Sequence, residues 1–417
     1  MFRRSLTHVL GPFFLALMLF VLFHIGKRPQ ESPPQPAPSH PVVPDQTLPT
    51  ASQHPSEDKL SARRSRVIEW QAFPDLKGMD LLREIQEQLE RGDIGQADAQ
   101  LRELSSSLLS DTIMRQHVAV MWNNLGILQE QSSGTEAALN TFKKAAALDP
   151  GNATIQLNLA HAYWVLRDPH LTAEFLRSLI ALVPDEAFPH LALADVLQEH
   201  DHLEEAGHHL QQAKERLATD PTLQSYLTSV IRKLERSRRV EERLIPRRSA
   251  HFIVKFDGEE DYITWSIVLD ILETAYREIG QEFQYFPTKP LLVVLLAKET
   301  FQSATDSPTW ADGLFDPVLG RIQIPTQGAL TDRKWLTRVL RHEFVHALLH
   351  DEMNATGAVV PTWLNEGLAM HLSGDVQQDI DFATDGTVQV VPLPTLEGSW
   401  SRLSPEAAQM AYLEAGS

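Results

Sequence analysis

The sequence predicts an α+β protein: an apolar N-terminal helix, then an all-α repeat array, then a domain that mixes strands with long helices. Three observations carry this. Ser5 to Gly26 contains no formal charge, a 34-residue period runs between about residues 122 and 220, and short apolar runs alternate with helical stretches after Ser249.

The uncharged run is long enough to span a bilayer as one helix. Arg3 and Arg4 precede it and Lys27 and Arg28 follow it, so the positive-inside rule orients it only weakly. No small-x-small site follows the apolar core, where Phe23, His24 and Ile25 stand. An uncleaved anchor over residues 1–27 is therefore preferred to a cleaved signal sequence. Residues 28–70 begin with a proline-rich stretch, ESPPQPAPSHPVVPDQTLPTASQHPSED, which has no apolar face to bury and is expected to be a disordered tether. The expected location is a bacterial inner membrane, crossed once, with the folded part periplasmic or otherwise extracytoplasmic.

Charge and composition remove several function classes. A net charge of -18 and a pI near 5.4 disfavour nucleic acid as a partner, because phosphate neutralisation needs net positive surface. The short basic clusters RRSRV and IPRRSAH fit solvated surface. Cysteine is absent, which excludes disulfides, cysteine nucleophiles, thiolate metal sites and a lipidated cysteine.

Between about residues 75 and 240 the pattern is helical. Leu125, Leu159 and Leu193 are spaced 34 apart, as are Pro150 and Pro184. Small residues at Gly126, Ala160 and Ala194 suit positions where two helices approach closely. Trp122, Leu125 and Gly126, followed by Ala138, Phe142, Ala145 and Pro150, resemble the tetratricopeptide repeat. A degenerate unit is expected before them, in LLREIQEQLERGDIGQADAQLRELSSSLL, and the charged helix LTSVIRKLERSRRVEERL is expected to close the array. The resemblance implies a concave platform for a protein partner.

The final domain, residues 249–417, opens with HFIVKF, which alternates as a strand does. A helix through ITWSIVLDILETAYREIGQEF and a buried strand in PLLVVLLA follow. DGLFDPVLGRIQIP suggests a turn leading into a strand from Arg321 to Ile324. TDRKWLTRVLRHEFVHALLHDE is then helical, and PTWLNEGLAMHLSG starts another helix with Pro361 in its first turn.

On the first of these two helices, His342 and His346 are four residues apart and point the same way, with Glu343 beside them. Two imidazoles held at helical spacing are what zinc needs, and the glutamate can take a proton from activated water without being a ligand. The apolar flanks Phe344, Val345, Ala347, Leu348 and Leu349 place this helix in a core, where unused polar groups are costly. Glu366, twenty residues after His346, offers a third ligand. His350 and His371 stand nearby as groups that orient a ligand or lie at the surface.

HEFVH followed by NEGLA resembles the gluzincin branch of the zinc metallopeptidases, the group with a "peptidase MA-like" domain and a zincin-like fold. That resemblance implies zinc bound by His342, His346 and Glu366, with Glu343 as general base and acid. It implies that Gly320 to Ile324 form the edge strand on which a peptide substrate lies. No glycine-rich acidic exopeptidase motif stands near residues 308 to 325, so endopeptidase action is expected. Tyr412 is the only tyrosine downstream of Glu366. The resemblance makes it the candidate oxyanion donor, and an aromatic that simply packs on the domain is the alternative. SPEAAQMAYLEAGS has the look of the first turns of a helix, and relatives carry more helices there, so the lower lobe is expected to be short or missing.

Three functions fit these residues: a membrane-tethered zinc metalloprotease whose array recruits a protein or peptide substrate, a non-catalytic repeat scaffold with a degenerate peptidase domain, and a zinc-dependent hydrolase of a non-peptide bond. Dependence on metal and on Glu343 separates the first from the second. Cleavage of small esters without protein cleavage would mark the third.

Overall fold

Helix pairs that each bury only one stripe must stack, and a sheet with apolar side chains on both faces must be covered twice. Both requirements shape this chain. The computed structural model describes residues 68–71, 79–104, 109–218, 221–258, 264–305, 307, 311–326, 332–356 and 360–374. The expected anchor, most of the tether and Tyr412 lie outside the described residues. Among those described, no helix is long and apolar enough to cross a membrane. The fold is α+β: mostly helical, with one mixed five-stranded sheet.

Among the described residues nine helices come first: α1 (Met79–Glu90), α2 (Ile94–Glu103), α3 (Thr112–Ser133), α4 (Thr135–Leu148), α5 (Ala153–Val165), α6 (Ala173–Leu182), α7 (Ala187–Glu199), α8 (Leu203–Arg216) and α9 (Pro221–Glu241). Side-chain caps start several of them. The Asp111 carboxylate accepts from Met114 N, Asn152 Oδ1 from Ile155 N and Thr172 Oγ1 from Phe175 N, each satisfying an amide that the helix leaves free. Gly126 lets α3 meet α4 closely, since a Cβ there would lie 2.7 Å from the Phe142 ring. Residues 68–70, assigned by composition to the tether, are instead held against the helices. Ile68 packs on the apolar cluster of α1, α3 and α4.

The sheet follows. Its strands are β1 (Ile245–Arg248), β2 (Phe252–Phe256), β3 (Leu291–Leu296), β4 (Leu314–Asp316) and β5 (Arg321–Pro325), in the order β1-β2-β3-β5-β4. β2, β3 and β5 run parallel, and β1 and β4 pair antiparallel at the edges. The period of two sorts the side chains. Phe252, Val254, Val293, Leu295, Ile322 and Ile324 face a core built with α10 (Thr264–Phe283) and α12 (Arg333–Thr356). Leu292, Val294 and Leu296 face the other way, onto Phe301 and Ala304 of α11 (Lys298–Thr305) and Val240 of α9. Burial on both faces explains the unbroken apolar run of β3.

The resemblance to gluzincins implies that the substrate-bearing edge is Gly320–Ile324. That strand is interior: β5 is fully buried and hydrogen-bonded between β3 and β4. Among the described residues the edge is β4, three residues whose sequence reads as part of a turn. The turn begins at Asp316, whose Oδ1 accepts from Val318 N and Leu319 N.

Beyond the sheet face that carries Lys255 and Arg321 lies a buried ionic cluster. Arg321 is fully buried, and its Nη1 lies 2.7 Å from both oxygens of Glu241, at the end of α9. Lys255 Nζ reaches Glu241 at 2.8 Å and Asp201 at 2.5 Å. The tip of the β4–β5 turn packs there too, with Leu319 in the apolar cluster of α5 to α9.

Candidate metal centre

Helix α12 and helix α13 (Thr362–Ser373) pack together and bring three side chains that could hold a metal into one small volume. Arg341 helps to fix the pair, since its guanidinium donates to the Leu372 carbonyl near the end of α13 and to Glu278 of α10. Pro361 is the N-cap of α13 rather than a residue within its first turn, and Gly374 closes the helix in the left-handed region, at φ 88°.

The donor atoms are Nε2 of His342, Nε2 of His346 and Oε2 of Glu366. The imidazole nitrogens are 3.1 Å apart, and each lies 3.4 Å from the carboxylate oxygen. Such a triangle has its equidistant point about 1.9 Å from each atom, close to the ~2.0–2.2 Å of zinc bonds to nitrogen and oxygen. Glu366 Oε2 is buried and accepts no hydrogen bond among the described residues. An orphaned carboxylate oxygen facing two imidazoles fits a divalent cation. Among the described residues, this is the one group of three or more histidine and carboxylate side chains close enough to hold a metal.

His346 is oriented from behind, with Nδ1 3.0 Å from Asn365 Oδ1. A proton on Nδ1 then leaves Nε2 as the free lone pair. Glu343 is buried beside the donors, and its Oε2 accepts from Phe315 N of the edge strand β4 at 2.6 Å. Burial pushes its carboxyl above the ordinary carboxylate range, against the opposing pull of His346 and His342. That favours a group that both accepts and returns a proton. The approach of the chain leading into β4 requires Gly313, where a Cβ would lie 2.8 Å from Val339 Cγ1 and 3.1 Å from Glu343 Cγ.

The structure thus brings together His342, Glu343, His346 and Glu366. His350 instead packs its ring against Phe315 at 5.3 Å between centroids, and His371 is exposed. Asn365, Gly313 and the Phe315 amide were missed in the sequence. Only Asn365 gave any signal, by standing next to Glu366. No protein-family model and no curated protein matches this chain.

Proposed function

We propose that this chain is a membrane-tethered zinc metallopeptidase of gluzincin type, acting as an endopeptidase on protein or peptide substrates, with a tetratricopeptide array ahead of a zincin-like catalytic domain. The observation that carries the reading is the triangle of two imidazole nitrogens and one orphaned carboxylate oxygen with a second, buried carboxylate beside it. His342, His346 and Glu366 would hold the metal, and Asn365 would keep the His346 lone pair aimed at it. Zinc bound there supplies Lewis acidity that activates water and polarises a carbonyl. Glu343 Oε1 or Oε2 takes the proton of the attacking water and returns it to the departing amine nitrogen, which restores the resting carboxylate. The Phe315 amide fixes the rotamer of Glu343 through this cycle. An extended substrate would lie along the side of β4 away from β5, with the Phe315 carbonyl as its main-chain acceptor.

Elemental analysis of the full chain beside His346→Ala and Glu343→Gln tests this. About one zinc per chain is expected in the wild type. It should be lost in His346→Ala and kept in Glu343→Gln. Glu343→Gln should slow cleavage of an unstructured protein substrate by about a hundred- to ten-thousand-fold. Zinc-free, correctly folded wild-type protein would overturn the proposal in favour of a non-catalytic scaffold.

A further inference from the structure

Helix α3 is buried at every residue from Val118 to Ile127. A helix buried all round must be covered on every face, and Ile68–Gln71 supply part of that cover. Their main chain is gripped at alternate residues by two amide side chains. At residue 69, the backbone N–H donates to Asn124 Oδ1 at 3.2 Å and Asn124 Nδ2 donates to the carbonyl at 2.8 Å. At residue 71, the backbone N–H donates to Gln86 Oε1 at 2.9 Å and Gln86 Nε2 donates to the carbonyl at 3.2 Å. The side chains of the same two residues are met as well. Thr154 Oγ1 donates to Glu69 Oε1 at 2.9 Å, and His117 Nδ1 lies 2.5 Å from Gln71 Oε1. Trp70, between them, is 44% exposed.

Alternate residues facing one wall, with the backbone held at each, is how an extended peptide is recognised. We propose that the groove formed by Gln86 of α1, His117 and Asn124 of α3 and Thr154 of α5 is an extended-peptide site, and that Ile68–Gln71 are its intramolecular ligand. A protein partner would enter the same groove as an extended segment with side-chain oxygen acceptors at alternate positions, as in Glu-x-Gln. It must displace a segment joined to α1 by a few residues, whose local concentration is on the order of millimolar. Binding in trans is therefore weakened until the segment leaves. The groove is built without any residue of the metal centre, so zinc content and peptide binding succeed or fail separately.

The test uses the full chain in detergent and a labelled peptide of residues 66–73, RVIEWQAF. Glu69→Pro with Gln71→Pro removes both backbone donors of the internal ligand and leaves the groove side chains intact. The peptide should bind this double variant at least about tenfold more tightly than wild type, and adding Gln86→Ala or Asn124→Ala should abolish the gain. Equal binding to wild type and double variant, or binding to neither, overturns the proposal. Should the double variant unfold, amide hydrogen exchange in the wild type decides. Protection at Glu69 and Gln71 that is lost in Gln86→Ala supports the internal ligand, and rapid exchange at both in the wild type overturns it.

Discussion

His346 sits between a carboxylate and an amide, and both decide what its ring nitrogens do. Replacing Asn365 by alanine frees the ring to rotate, so zinc affinity should fall by about ten- to a hundredfold while the fold persists. Chelator competition reads this directly, and unchanged affinity would remove Asn365 from the site. Acid should release the metal as well. In the metal-free chain, burial disfavours the His346 imidazolium, but the Glu366 carboxylate overrides it and lifts the pKa above 6.5. Burial works the other way on Glu366, and His346 and His342 hold its carboxyl well below the usual carboxylate range. The His346 contribution to stability is present below pH 6.5 and lost as pH rises through the raised value. That of Glu366 is present above its ordinary 4.5 and lost as pH falls through the depressed one. A cation competes with the proton on His346, so zinc affinity, read by chelator competition, should weaken progressively as pH falls below the raised value of the metal-free imidazole. An affinity independent of pH across that range would contradict the ligand assignment. At this scale the sequence was legible where helical spacing fixed geometry, as with His342 and His346. It was silent on the Phe315 amide, because a backbone donor leaves no residue signature.

Among the elements, the contact between α12 and the edge of the sheet sets the geometry of Glu343. Gly313→Ala would press a methyl group into Val339 and Ile324, and relief requires the chain into β4 to move off the helix. The expected cost is about 1–3 kcal/mol of stability, with a lengthened Phe315–Glu343 hydrogen bond, a lower kcat and unchanged zinc content. Urea unfolding beside metal analysis separates these effects, and a variant that loses zinc and activity together would assign Gly313 a general structural role. The helices and the strands β2 and β3 were legible because period and apolar runs marked them. β4 was not, since three residues followed by an Asp-Pro turn carry too little alternation to announce a strand. Ile68–Gln71 were also hidden: their order comes from groups in three separate helices, two of them far along the chain.

Across the whole molecule, the array and the sheet share one buried carboxylate. Glu241 closes α9 and serves Arg321 and Lys255 of the sheet. Glu241→Gln leaves the buried Arg321 and the partly buried Lys255 with Asp201 as their shared counter-charge, and losing one partner of a buried pair costs up to about 3–5 kcal/mol. Far-UV dichroism and tryptophan fluorescence should report one shared, lowered midpoint, whereas two separated transitions would show that the units fold independently. Burial raises the Glu241 carboxyl, but Arg321 and Lys255 outweigh it and hold it below 4.5. Its stabilisation is present above pH 4.5 and fades as pH falls through the folded value. Nothing in the sequence marked this cluster, because partners 80 residues apart cannot be paired by local pattern. Leu319 adds a consequence of another kind. The tip of the β4–β5 hairpin is part of the apolar filling of the helical array, while the same hairpin supports Glu343. Recombination at the junction near residue 244 would therefore yield chimeras with a hole on one side and a stranded leucine on the other. An exchangeable cassette has to carry residues 316–321 together with the helices, so the array and the hairpin are expected to evolve as one inheritance unit.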